Sequence, residues 1–153
     1  MDLVDIQLFA VERINADPVL SAAGCIAVVE DKGDAFAEVN AAVEGGLCAI
    51  VLLPKWSPRS SAAKNAVGNA DLVVNLTEIP DINREERPNA LHGLTAAQRI
   101  AWLLNMEKVA DDACGVLTLA NPGIQPAVQE DGRGVVYSIS FVQQYQLTDA
   151  TKE

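Results

Sequence analysis

The sequence predicts an α+β domain: a mixed, mostly antiparallel sheet flanked by about three helices. Three observations carry that reading. Leu72, Val74 and Leu76 alternate with Val73, Asn75 and Thr77, the period of a strand with one packed face. Val135, Tyr137, Ile139, Phe141, Tyr145 and Leu147 repeat the pattern over a longer stretch, with Gln143 the one exception. Between and around these runs lie segments with the three- and four-residue spacing of amphipathic helices.

In chain order, Asp2–Asn15 is the first helix. Leu3, Ile6, Phe9, Ala10 and Ile14 form its stripe, and Asp2 and Asp5 suit the positive end of its dipole. Asp17-Pro18 ends it. Cys25–Val29 is a short continuous apolar run, the mark of a buried strand. Asp34 caps a second helix, Ala35–Glu44, with Phe36, Val39 and Val43 on one face and Gly45-Gly46 closing it. Leu47–Leu53 is another buried strand, stopped by Pro54.

Pro54–Ala70 is polar and long for a loop. It is either a functional arm or the host of a short helix around Ser61–Val67. Trp56 stands alone in it, as a contact residue or as packing beneath the loop. The central strand, Asp71–Thr77, stops at Glu78-Ile79-Pro80, and a polar arm follows from Asp81. The third helix opens at Leu94, where Thr95 and Gln98 have capping-box spacing. Ile100, Leu103 and Leu104 are its packed stripe, and Trp102 points away from it. Gly115–Ala120 is a strand ended by the turn Asn121-Pro122-Gly123. Ile124–Glu130 is a weaker strand whose Pro126 suits an edge, and Asp131–Gly134 signals a hairpin into the long last strand. Residues 1–148 read as a single domain and 149–153 as a flexible tail.

At 153 residues the chain suffices for one core, and half its residues are hydrophobic. A net charge of -10 argues against sequence-specific nucleic-acid binding and against anionic membranes. Cys25, Cys48 and Cys114 have no C-x-x-C spacing and sit in apolar runs, as buried thiols in a reducing compartment do. The acidic N-terminus lacks the features of a signal peptide, which points to an intracellular, soluble protein.

Catalytic and cofactor chemistry finds little purchase. Nucleophilic catalysis usually needs a histidine base, and His92 lies in a polar loop before a helix. Glu30, Asp31 and Asp34 match no calcium-loop pattern and read as a solvated turn with a cap. The strand-helix-strand at 25–53 has no phosphate-binding glycine motif, and Asp31 and Asp34 would repel phosphate. We expect no catalytic residue, cofactor or metal. An enzyme would have to be a small hydrolase using Glu78 or Asp81. The other alternative is a monomeric intracellular binding or regulatory module.

Three segments in order resemble the tail terminator and tail-completion proteins of bacteriophages: EDKGDAFAEVNAAVEGGLCAIVLL (30–53), LVVNLTEIPDINREE (72–86), and the helix LTAAQRIAWLLN followed by a hairpin ending in VVYSISF. Together they cover most of the chain, with motifs that are structural rather than chemical. The lead Pro88–Gly93 is longer than the resemblance expects. The resemblance implies a non-enzymatic minor tail protein, phage- or prophage-derived, that forms a ring, usually a hexamer. Such a ring caps the tail tube, halts its growth and docks the tail to the head. Its partners would be copies of itself, the tail tube and head–tail connector proteins, in the host cytoplasm and then in the virion tail. In that setting the arm Asp81–Arg87 is the expected subunit contact, through Asp81, Asn83, Arg84 and Arg87, with Trp56 as a further contact residue. Arginine suits the role because its planar fork binds a carboxylate at two points.

Overall fold

The computed structural model describes residues 2–30, 46–59, 66–83, 89–110, 115–128 and 134–147, Asp81 by its backbone alone. Helix α1 (Leu3–Ala16) begins with a capping box in which Asp2 accepts from the first turn and Asp5 accepts from the Asp2 backbone. Asp17 does more than stop α1. Its side chain accepts from Leu20 N–H and caps a second short helix, α2 (Pro18–Ala22), with proline in the first turn, where its missing N–H costs nothing.

The strands are β1 (Ile26–Val29), β2 (Leu47–Val51), β3 (Lys55–Pro58), β4 (Val67–Glu78), β5 (Thr118–Val128) and β6 (Val135–Gln146). They form one six-stranded sheet in the order β1-β2-β4-β6-β5, with β3 also paired to β4. Only β1 with β2 is parallel; the other pairings are antiparallel. The expected α+β architecture is therefore the observed one. β4 is its spine, pairing with β6 along its whole length from Val67 opposite Gln146 to Glu78 opposite Val135.

The register places Ala49, Leu76 and Tyr137 in one row and Val51, Val74 and Ile139 in the next. This face carries the core. α1 lays Ile6, Ala10 and Ile14 on it, and helix α4 (Gly93–Leu104) adds Ala96, Ala97, Ile100 and Leu104. The small alanines let α4 approach the sheet closely, and the aliphatic side chains fill the space between them. The opposite face is mixed, with Asn75, Thr77, Ser138 and Ser140 among Val73, Val136 and Val142. Among the described residues no helix is long and apolar enough to cross a membrane.

Four expectations change. The polar stretch after Pro54 holds β3 and the first residues of β4 where a loop is expected, while most of the alternative short helix around Ser61–Val67 lies outside the described residues. The polar side chains carry no strand signal because β3 is an exposed edge, which needs no apolar alternation. Asn121-Pro122-Gly123 is not a chain reversal but an irregularity within β5, where the register jumps between Leu119 and Ile124. Thr95 is not the cap of α4. The structure starts the helix earlier, and His92 Nδ1 accepts from Leu94 N–H at 3.1 Å. The reading of His92 as an exposed, near-cap histidine matches this placement, while the cap itself was expected at Thr95. Finally, Ile26 is half exposed, since β1 is an edge strand rather than a central one.

Cys25 and Cys48 are buried, and burial pushes the Cys25 thiol up to about 12. Cys114, the helix expected at Ala35–Glu44, the hairpin tip and the C-terminal tail lie outside the described residues. The two end strands of the β1-β2-β4-β6-β5 path are treated differently. On β1, Asn15 of α1 donates from Nδ2 to Ala27 O at 3.0 Å and accepts from Ala27 N–H at 2.8 Å. On β5, the outer strand carries Pro122 and Pro126.

Candidate functional site

The arm singled out in the sequence starts from a buried polar knot at the end of β4. Glu78, the last residue of β4, is fully buried on the core face. Its carboxylate accepts from Gly93 N–H at 2.8 Å, from Asn83 Nδ2 at 2.7 Å and from the Tyr137 hydroxyl at 3.4 Å. A carboxylate at the first turn of α4 also meets the positive end of that helix. A buried carboxylate must be satisfied in this way, because an unpaired one costs several kcal/mol.

Asn83 is the second half of the knot. Pro80–Asn83 forms a single helical turn, α3, in which Asn83 N–H donates to Ile79 O at 2.8 Å. That turn carries the Asn83 side chain inward, where Nδ2 also donates to Leu91 O at 2.6 Å. Behind it stands Gly46, with φ +88 and its carbonyl accepting from Ile79 N–H at 2.9 Å. A Cβ on Gly46 would lie 2.8 Å from the Asn83 Cα, so only glycine meets both the backbone angle and the close approach. The knot therefore pins Glu78, Asn83, Leu91 and Gly93 together.

This changes the role expected of Asn83. It was placed among the subunit contacts, yet its side chain is wholly buried and engaged inside its own chain. The polar run hid this because a buried Asn and an exposed one look alike in sequence when no alternation flanks them. Arg84, Arg87 and the side chain of Asp81 lie outside the described residues.

Trp56 is half buried on β3, opposite Ala70 of β4. Its Nε1–H donates to Tyr145 O at 3.2 Å, and its ring lies over Gly68, where a Cβ would sit 2.8 Å from the indole Cε2. The packing alternative for Trp56 describes that contact. Ala70 and Glu78 are eight residues apart on one strand, roughly 27 Å, so Trp56 lies far from the Glu78–Asn83 pair.

Glu78 as a hydrolase residue is poorly placed, since a general acid or base has to reach its substrate and this one is enclosed. His92, the other candidate, is exposed and already used as a helix cap. Among the described residues no group of three or more His, Cys, Asp or Glu side chains could hold a metal ion.

A second cluster was missed. Asp17, buried, accepts two hydrogen bonds from Arg99 of α4, from Nη2 at 2.6 Å and from Nε at 3.1 Å. That pairing holds the Asp17 carboxyl below its ordinary range, with the Leu20 N–H bond adding to it against the cost of burial. The Arg99 guanidinium carbon lies 4.9 Å from the centroid of Trp102, a cation–π contact. Trp102 is 69% exposed. Its departure from the packed stripe was the visible signal. Its arginine was not paired with Asp17 in sequence because the two are 82 residues apart.

No family model and no curated protein matches the chain. Among solved structures, the fold is similar to a chain in the virion of a native gene transfer agent (GTA) particle. The TM-score is 0.62 at 14% sequence identity, and the match covers 92% of this chain and 94% of that one. At that identity the likeness is one of fold.

Proposed function

We propose that the chain is a structural component of a phage-like virion, and more specifically a tail terminator or tail-completion protein. The observation that carries the proposal is the fold likeness to a virion chain over nearly the full length of both. The resemblance of segments 30–53 and 72–86 to tail terminators supports the finer reading. In it, copies of the chain close into a ring that caps the tail tube and joins the tail to the head connector. It works by docking, without catalysis or cofactor, first in the host cytoplasm and then in the virion tail.

The arm Asp81–Arg87 is the proposed contact between subunits. The Glu78–Asn83 knot supports it by fixing the chain at Asn83 and again at Leu91 and Gly93, and an interface element held in place loses less freedom on docking. Within the arm, Asp81, Arg84 and Arg87 are the contact groups, while Asn83 positions them. The acidic balance of -10 suits a conduit that DNA traverses without sticking.

Light scattering followed by negative-stain imaging tests the proposal. The expected result is a discrete multiple of the 16.2 kDa chain, seen as rings. The double change Arg84→Glu with Arg87→Glu should lower that mass or block tail joining, with circular dichroism unchanged. A monomer at every concentration that also fails to enter particles would favour the binding-module alternative.

A further inference from the structure

The sheet is notched where β2 gives way to β3. Val51 stands opposite Val74 and Lys55 opposite Asp71, so three residues on one side face two of β4. The extra residue makes a bulge, and Pro54 within it has no N–H to offer the ladder. A groove of about 420 Å³ opens there. Leu53, Pro54 and Val73 are its apolar lining, and Glu30, Lys55 and Asp71 its charged lining. Glu30 Oε2 accepts from Leu53 N–H at 3.1 Å, which secures the bulge while Leu53 itself stays 53% exposed. Lys55 and Asp71 are exposed, and neither side chain has a hydrogen-bond or ion-pair partner among the described residues.

We infer that this groove receives the Asp81–Arg87 arm of a second copy, with Arg84 and Arg87 on the Glu30 and Asp71 carboxylates and the Glu85-Glu86 pair toward Lys55. The inference rests on the ring reading above and supplies the second patch that reading needs, because a ring contact joins two different surfaces of the same chain.

Charge selects the occupant. Two carboxylates around an apolar lining suit two arginines close together, whose forks bind the carboxylates and whose stems cover the apolar surface. Among the 11 basic residues of the chain, Arg84 and Arg87 are the only two within three positions of each other. The acidic residues between them answer Lys55, so the contact alternates in sign on both sides. Elsewhere, two chains of net charge -10 repel.

Reach makes the contact one between copies. Asn83 and Leu91 are joined at 2.6 Å beside Glu78. Eight steps of chain connect them, so the backbone between strays at most four steps, roughly 14 Å. Asp71 lies seven residues back along β4 from Glu78, roughly 23 Å away. Glu78 also faces the core layer and Asp71 the other side, so the sheet stands between them. An arm therefore falls short of its own groove and is free for that of a neighbour.

Charge exchange in the full chain tests the inference, read as assembled mass by light scattering at rising concentration. Glu30→Arg with Asp71→Arg should raise the concentration for half-assembly at least about tenfold. Joining that pair to Arg84→Glu with Arg87→Glu in one chain should restore association toward the parent, since each new carboxylate then meets a new arginine. Glu30→Gln with Asp71→Asn keeps the side-chain shapes and an acceptor for Leu53 N–H. It should weaken association in the same direction with an unchanged thermal melt, so the result does not depend on how well the reversed groove folds. If reversing the arm dissolves the assembly while both groove variants leave it intact, the arm docks elsewhere: the inference falls and the ring reading stands. An exchange that restores nothing in a chain melting as the parent does overturns it too. So does a loss caused by the groove variants alone, with arm reversal harmless, which gives the groove another occupant. A chain that stays monomeric at every concentration removes the ring reading and the inference together.

Discussion

The two ends of β4 are held by different physics. At its end, Glu78 is a buried carboxylate fixed by Gly93, Asn83 and Tyr137. At its beginning, Gly68 lies beneath the Trp56 ring, and contact area with one indole hydrogen bond secures it. Directional bonds in a low-dielectric site define positions narrowly and fail sharply when a partner is lost. Packing of an indole at a half-exposed edge yields more gradually, because water can replace part of what is removed. The knot therefore suits an element whose exit angle matters, and the indole suits the closing of a sheet corner.

The sharpest way to break this contrast is at Glu78. Glu78→Leu leaves the Gly93 N–H and the Asn83 amide facing an apolar group, each a loss of about 1–3 kcal/mol. We expect a total destabilisation of roughly 3–5 kcal/mol in chemical denaturation. A cost below that of Trp56→Ala would reverse the ranking of the two ends. Trp56→Ala should come next, at about 2–3 kcal/mol, less than a fully enclosed tryptophan because the ring is half exposed. Gly68→Ala sharpens the same point. Its methyl would meet the indole, so it should cost about 1–3 kcal/mol. Trp56→Leu in the Gly68→Ala background should recover part of that loss.

Asp17 adds a pH test to the comparison. Its folded pKa is depressed, first by the Arg99 hydrogen bonds, so its contribution is present above the unfolded value near 3.8 and is lost as pH falls through the folded value. Asp17→Asn should flatten that acid limb of the stability curve, and an unchanged limb would remove Asp17 from the account. The smallest effect belongs to Thr95. It is exposed and is not the cap, so Thr95→Ala should stay within about 0.5 kcal/mol. His92→Ala should exceed it, at up to about 1 kcal/mol. Equal melting temperatures for the two variants would restore Thr95 as an equal candidate for the cap.

What could be read in the sequence follows from this contrast. The core strands were legible because alternation is a local signal: Leu72, Val74, Leu76, Tyr137, Ile139 and Phe141 all lie on the packed face. The stripes of α1 and α4 were legible for the same reason. β3 was not, since an exposed edge needs no apolar residues. The knot was only half visible. Glu78 and Asn83 stood out as a mark, but nothing local says that Asn83 turns inward, because its partners Leu91 and Glu78 lie on separate elements. The Asp17–Arg99–Trp102 series is a long-range arrangement that a linear reading cannot assemble.

Asn15 has a consequence for how the protein behaves at high concentration. A β-strand at the rim of a sheet is a template on which another chain can add a strand, and repetition of that step makes a fibre. Here the Asn15 amide occupies both backbone groups of Ala27 that such a strand would use. At the far rim, Pro122 and Pro126 have no N–H to offer. At these two rims, copies crowded together thus find no easy backbone route to stacking. Asn15→Val would reopen the first rim, and thioflavin binding on prolonged incubation should then rise where the parent chain stays clear.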